Sequence, residues 1–314
     1  MPNIIIILEK YSDWLESYNV IKLNPTFDVH CHYITNDRND PCSVTNIFNY
    51  ITDGRVYYYP YETRTKLFDV FDENFYKNVK QGDILVAPFI RYRNLWKFIS
   101  KCPRNVTTVH LSECLPDAFG HIGYRIGYRG KHLKSWLTLP LAKIYAMMHK
   151  PDICYYPLYP AVKNTFVKTT YPVNKPPLLP SKAQLLKNHT NGIKRPLLIS
   201  GFGYNVEKMA KCLNIEQYIA TSKNLEIIVD GKTIPLTERI CAEEVLLSGY
   251  VSSITGYSSS AMVWAKFLYP DMPIQCYEAK GLDRAYGKYN SCYTKRVLKK
   301  IGIDLKEECK EMLD

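Results

Sequence analysis

The stretch "RPLLISGFGYNVEKMAKCLNIEQYI", residues 195–219, passes from a short apolar run through a glycine-bearing loop into a helix-like segment. A compact apolar run that enters a helix in this way reads as a buried parallel strand of an α/β layer. It is the second such beginning in the chain. Near the amino end, "NIIIILE" (residues 3–9) leads into the helix-like "DWLESYNVI" (residues 13–21). Further strand candidates follow at "FDVHCHYI" (27–34), "GRVYYYPY" (54–61), "GDILVAPFI" (82–90), "NVTTVHLSE" (105–113) and "DICYYPLYP" (152–160). Helical patterns at 92–102 and 131–150 lie between the later ones. Strands alternating with helices predict a mainly parallel sheet with helices on its faces.

The pattern begins afresh after residue 195. A strand with a turn at Asp230-Gly231 is expected within 224–236, a helix over 238–249, a strand over 250–256, a helix over 257–269 and a strand over 272–278. The tail 297–313 reads as a charged helix. The stretch "YPVNKPPLLPSKAQLLKNHTNGIKR" (171–195) is rich in proline and lysine and reads as a linker. The expected division is therefore an α/β domain over 1–172, a linker over 173–195 and a second α/β domain over 196–314. Two such halves suggest an enzyme with a cleft between them, and ligands in such sheets gather at the carboxyl ends of strands.

Composition narrows the partners without naming one. The 314 residues are 46% hydrophobic and 23% charged, which is ordinary for a globular chain. The net charge of +11 favours anionic partners, and it is spread along the chain instead of gathered in a tail. Tyrosines number 26 against 11 phenylalanines, a bias useful in cores and in sugar or base clefts alike. Ten cysteines include no CxxC pair, and the apolar run Ile4–Leu8 lacks the basic flank of a signal peptide. A cytoplasmic protein with reduced thiols is expected. A nucleic-acid-binding role finds no RNP-like or KH-like motif, and the aromatics fall in apolar strands such as "VYYYPY".

Four loops carry chemistry. In "VHLSECLPDAFGHIGYRIGYRG" (109–130), Glu113 ends a strand and Asp117 lies in a glycine-bearing loop, where an acid can act as general base. Arg125 and Arg129 can offset a phosphate or carboxylate. The same acids could simply cap the next helix. In "SSITGYSSSAM" (252–262), Ser258, Ser259 and Ser260 stand between a strand and a helix, a natural anion site although one serine would suffice as a cap. "SGFGYN" (200–205) holds Gly201 and Gly203, a GxG without the full dinucleotide fingerprint. Glu243 and Glu244 in "AEEVL" could accept from ribose hydroxyls or be plain surface acids. His30 and His32 share a strand face with Cys31 opposite, a poor metal site. No Walker loop, GxSxG elbow or DxD pair is present, so no metal or cofactor is expected.

Together "SECLPDAFG", "LLISGFG", "IPLTERICAEEVL" and "GYSSSAM" resemble the motifs of bacterial sialyltransferases of the two-domain GT-B type. The similarity is to the capsule and lipooligosaccharide enzymes of glycosyltransferase families 52 and 100. That resemblance implies two Rossmann-like domains facing a central cleft, and metal-independent, inverting transfer of sialic acid from CMP-sialic acid to an acceptor glycan, such as a galactose-terminated one. It implies Asp117 as base with Glu113 second, Ser258 and Ser259 at the CMP phosphate, and Glu244 or Glu243 at the ribose. The Gly201–Gly203 loop would lie near the nucleotide. Peripheral contact with the inner membrane, near lipid-linked acceptors, would suit the basic surface. The His-Pro pair of many such enzymes is missing, and no histidine follows His189. The leaving phosphate would then need another acid, His121 among the candidates, or the donor is a different nucleotide sugar. A non-catalytic binding relative of the same fold is the remaining alternative.

Overall fold

The computed structural model describes residues 1–35, 42–60, 75, 77–89, 102–112, 144, 147–162, 167–200, 205–222, 225–257, 259–278, 295–307 and 310–312. The chain forms two compact units, Met1–Pro176 and Pro177–Asp314.

The first unit is built on seven strands: β1 (Asn3–Leu8), β2 (Asp28–Thr35), β3 (Arg55–Pro60), β4 (Ile84–Ala87), β5 (Thr107–His110), β6 (Ile153–Tyr156) and β7 (Thr169–Pro172). Their order is β3-β2-β1-β4-β5-β6-β7, and every pairing is parallel. Parallel strands are covered on both faces, so β1 reads as an unbroken apolar run, and Ile4, Ile6, Ile7 and Leu8 are wholly buried. Two helices are described here, α1 (Trp14–Leu23) and α2 (Cys42–Ile51). Asp13 organises the entry to α1: its Oδ2 accepts the N–H groups of Glu9 and Lys10. Asp83 ties the start of β4 to that of β1 by accepting the Asn3 N–H at 2.9 Å. Strand β7 escapes a sequence reading because its residues are polar and mostly exposed, as an edge strand allows.

The second unit carries α3 (Pro180–Thr190), β8 (Arg195–Ile199), α4 (Val206–Cys212), β9 (Ile219–Thr221), β10 (Glu226–Val229), β11 (Lys232–Pro235), α5 (Ala242–Leu247), β12 (Val251–Tyr257), α6 (Ser260–Leu268), β13 (Ile274–Tyr277) and β14 (Leu305–Lys306). The sheet order is β11-β10-β9-β8-β12-β13-β14. Strands β9, β8, β12, β13 and β14 run parallel, whereas β10 is antiparallel to both β9 and β11.

Three expectations change. The segment 173–195 is no plain linker, since it holds α3. Pro180 occupies the first helical turn, where a missing N–H costs nothing, and Asn191 ends the helix in the left-handed region at φ 51°. The helix expected over 206–219 stops at Cys212, where Asn214 turns at φ 52° and the chain proceeds into β9. The tail is helical only over 295–300 and then forms β14 and a short 3-10 turn at Lys310–Met312. The Asp230-Gly231 turn stands, with both residues at positive φ, 50° and 74°. Asp230 also accepts the Tyr218 N–H at 2.9 Å and pairs with the buried Arg195 at 3.2 Å, pinning the hairpin to β8 and β9.

Gly256 is required for a different reason. A Cβ there would lie 2.4 Å from the Ile199 carbonyl oxygen and 2.7 Å from its Cβ. Gly256→Ala should therefore cost about 2 kcal/mol or more as overpacking between two central strands. Gly231→Ala meets nothing within 4 Å and strains only its own backbone. It should cost about 1 kcal/mol, and urea unfolding of the two variants gives the comparison.

On the first sheet, His32 stacks on Tyr57 at 5.0 Å and on Tyr59 at 5.6 Å, with Phe75 edge-on at 4.9 Å. Its Nδ1 lies 3.0 Å from the Tyr59 hydroxyl. Burial, and then neighbouring His30, push its pKa from 6.5 down to about 4. No group of three metal-ligating side chains occurs among the described residues. Because the folded pKa is depressed, the unfolded chain takes up the proton first as pH falls. The loss of stability accrues between 6.5 and about 4 and amounts to about 3 kcal/mol in full. His32→Phe should flatten the fall in melting temperature between about pH 7 and about pH 5, read by circular dichroism.

Candidate functional site

In the second sheet the strand order reverses between β8 and β12. From β8 the chain continues outward to β9, and from β12 outward to β13. The loops leaving two such neighbours diverge to opposite faces and open a crevice at the carboxyl ends of the strands. Both glycine- and serine-bearing motifs of this half leave from these strands. Residues 200–205 follow β8, and residues 258–260 follow β12. Ile199 and Gly256 are register partners near the carboxyl ends of these two strands.

The helix after β12 supplies donors. Ser259 is the N-cap of α6, with φ −140° and ψ 154°, and its Oγ accepts the Ala261 N–H at 3.3 Å. Its hydroxyl proton remains available, and so does the Ser260 N–H, whereas the Met262 N–H donates to the Ser259 carbonyl at 3.1 Å. Ser260 differs: its Oγ donates to Glu243 Oε1 at 2.6 Å, so its proton is already committed. The serines thus divide the work expected of them jointly, Ser259 as cap and donor and Ser260 as a clasp for a carboxylate.

The two glutamates also divide. Glu244 is wholly buried, with Oε1 2.8 Å from the Lys182 ammonium and Oε2 accepting the Cys241 N–H at 3.0 Å. A carboxylate held on both oxygens inside the fold is a poor partner for a ribose, so the expectation for Glu244 yields to a structural role. Glu243 is 5% exposed, and among the described residues Ser260 alone donates a hydrogen bond to it. Its Oε2 keeps its accepting capacity. Two further groups lie close enough to sense these charges. Burial, then Glu244 and Glu243, push the Cys241 thiol well up, so it stays protonated and is no thiolate nucleophile. Burial, then Glu243, raise Tyr257, which stays a neutral hydroxyl.

Other expected residues lie outside the described ones: Gly201, Gly203 and Ser258 in this unit, and Glu113, Asp117, His121, Arg125 and Arg129 in the first. The approach to the first unit's acidic stretch is described. At its start, the Ser112 N–H donates to the buried Glu16 Oε2 at 2.6 Å, fastening the end of β5 to α1. Sequence reading missed Lys182. A lysine in a proline-flanked polar stretch carries no mark of burial, yet its side chain is 3% exposed.

Among the described residues no helix is long and apolar enough to cross a membrane. The described cysteines are free thiols. No family model matches the chain. No curated protein matches it in sequence. Among solved structures it is similar to Phytolacca americana UGT2 complexed with UDP-2-fluoro-glucose and pterostilbene. That likeness has a TM-score of 0.52 at 11% identity and covers 99% of this chain and 86% of the other. The fold is therefore that of the two-domain GT-B glycosyltransferases, with a Rossmann-like sheet in each half.

Proposed function

We propose that the protein is a glycosyltransferase that binds a nucleotide-activated sugar at the switch point of its second sheet and passes the sugar to an acceptor glycan. One observation carries the reading: the donors at the start of α6 and the clasped Glu243 adjoin where β8 and β12 diverge. A phosphate and a ribose need these two chemistries side by side. The phosphate takes N–H and hydroxyl donors, and the ribose offers its own hydroxyls to a carboxylate.

The chemistry follows from charge. When the bond between the anomeric carbon and the phosphate oxygen breaks, positive charge develops on the sugar and negative charge on the departing phosphate. The Ser259 hydroxyl and the Ser260 N–H at the start of α6 would face the growing negative charge, each well-placed donor contributing roughly 3 kcal/mol. The acceptor hydroxyl must lose its proton, and Asp117 is assigned as that base with Glu113 second. Arg125 and Arg129 would balance charge nearby, with His121 as an acid for the leaving group.

As to the donor, a nucleotide sugar other than CMP-sialic acid is the better supported reading. The solved neighbour was complexed with a UDP-sugar analogue, and this chain lacks a His-Pro pair. CMP-sialic acid remains the second reading, on the strength of the serine and acid motifs.

A thermal-shift panel of UDP, CMP and GDP tests the donor. Stabilisation by UDP and not by CMP is expected, and the reverse would restore the sialyl reading. No stabilisation by any nucleotide overturns the assignment of the site. Glu243→Gln and Ser259→Ala should each weaken binding of the stabilising nucleotide by about tenfold, measured by calorimetry. Asp117→Ala should lower sugar transfer by about a hundredfold or more while nucleotide affinity stays near that of the unaltered protein. Full turnover in that variant, with loss in Glu113→Ala, would move the base by four residues.

A further inference from the structure

We propose that Lys182 is a positioning residue for nucleotide binding, acting from α3 through Glu244 to fix the Glu243 carboxylate at the start of α6. This rests on the reading of the site given above. Lys182 sits in the first turn of α3, in the stretch whose composition suggests a linker, and its ammonium is buried. A lysine so buried gains nothing from solvent and is tolerated only against an anion. That anion is Glu244 Oε1 at 2.8 Å.

The chain of contacts then runs in one direction. Glu244 Oε2 accepts the Cys241 N–H, which fixes the first turn of α5 at its N-cap. The adjacent residue, Glu243, leaves the same turn and meets Ser260 Oγ at 2.6 Å. Ser260 is the first residue of α6, and Ser259 before it caps that helix. Three helices are thereby registered to one another by two buried carboxylates and one ammonium. Charge supports the same order of events. Lys182 offsets the charge of Glu244, and Glu243 keeps its Oε2 as an acceptor for a ligand hydroxyl. Apolar residues at positions 182 and 244 could match the stability of the ion pair, but they would lose the directed bond that sets the first turn of α5 against α3.

The test separates holding the fold from aiming the carboxylate. Lys182→Met leaves Glu244 buried without its ammonium and should lower the melting temperature. In the folded protein it should raise the Kd of the stabilising nucleotide by about tenfold. The double variant Lys182→Met/Glu244→Gln removes both charges together. It should recover most of the melting temperature, yet keep a Kd raised by about fivefold or more, because α5 is no longer tied to α3. A Kd in the double variant equal to that of the unaltered protein, alongside recovered stability, overturns the proposal while leaving the site assignment intact. If Lys182→Met does not fold, the double variant decides alone. An unaltered protein that binds none of UDP, CMP or GDP overturns the site assignment and this proposal together.

Discussion

The second unit depends on two parallel strands packed so closely that one must carry a glycine. At the β8–β12 pairing, Gly256 lies against the backbone of Ile199, and no side chain fits between them. The pairing sets where the sheet reverses direction, and the reversal sets where loops diverge. The carboxyl ends of β8 and β12, from which the glycine- and serine-bearing segments leave, are brought side by side by this contact. On the proposed reading, affinity for a ligand at that edge would follow from strand order first and from side-chain chemistry second.

Around this edge the polar groups are sorted by their partners. Glu244, wholly buried, is saturated by Lys182 and the Cys241 N–H, whereas Glu243, one residue earlier, retains an oxygen for use. Ser260 spends its proton on Glu243, and Ser259 keeps its own. Neighbouring residues of the same type thus differ because the helix turns one toward Lys182 of α3 and the other toward Ser260 of α6. Desolvation enforces the division. Both carboxylates are buried, so each needs partners: Glu244 has Lys182 and the Cys241 N–H, and Glu243 has Ser260 on one oxygen, which on the proposed reading leaves the other for a ligand.

Much of the architecture is legible in residue order. Continuous apolar runs such as "NIIIIL" and "RPLLI" mark central parallel strands, because only strands covered on both faces are apolar throughout. The Asp230-Gly231 turn is legible because two successive positive φ angles demand such residues. What hides is equally physical. Strand β7 is polar since its edge is exposed, and β9 is three residues long and follows a helix without a proline or glycine break. Pro180 reads as a breaker although it starts α3. The site is legible in part: the serine loop can be found as a strand-to-helix junction, but the difference between Glu243 and Glu244 cannot, since both fall on the same short helix in identical company. Lys182 is invisible to sequence reading because its partner lies 62 positions away.

The placement of α3 bears on how the two halves can be exchanged or inherited. The border lies between Pro176 and Pro177, ahead of this helix, and not at the first strand of the second sheet. A gene fusion or proteolytic nick falling after Thr190 would carry the whole second sheet away without its lysine. Glu244 would then keep the Cys241 N–H but lose its ammonium partner. The modular piece that travels intact is the sheet together with the helix before it.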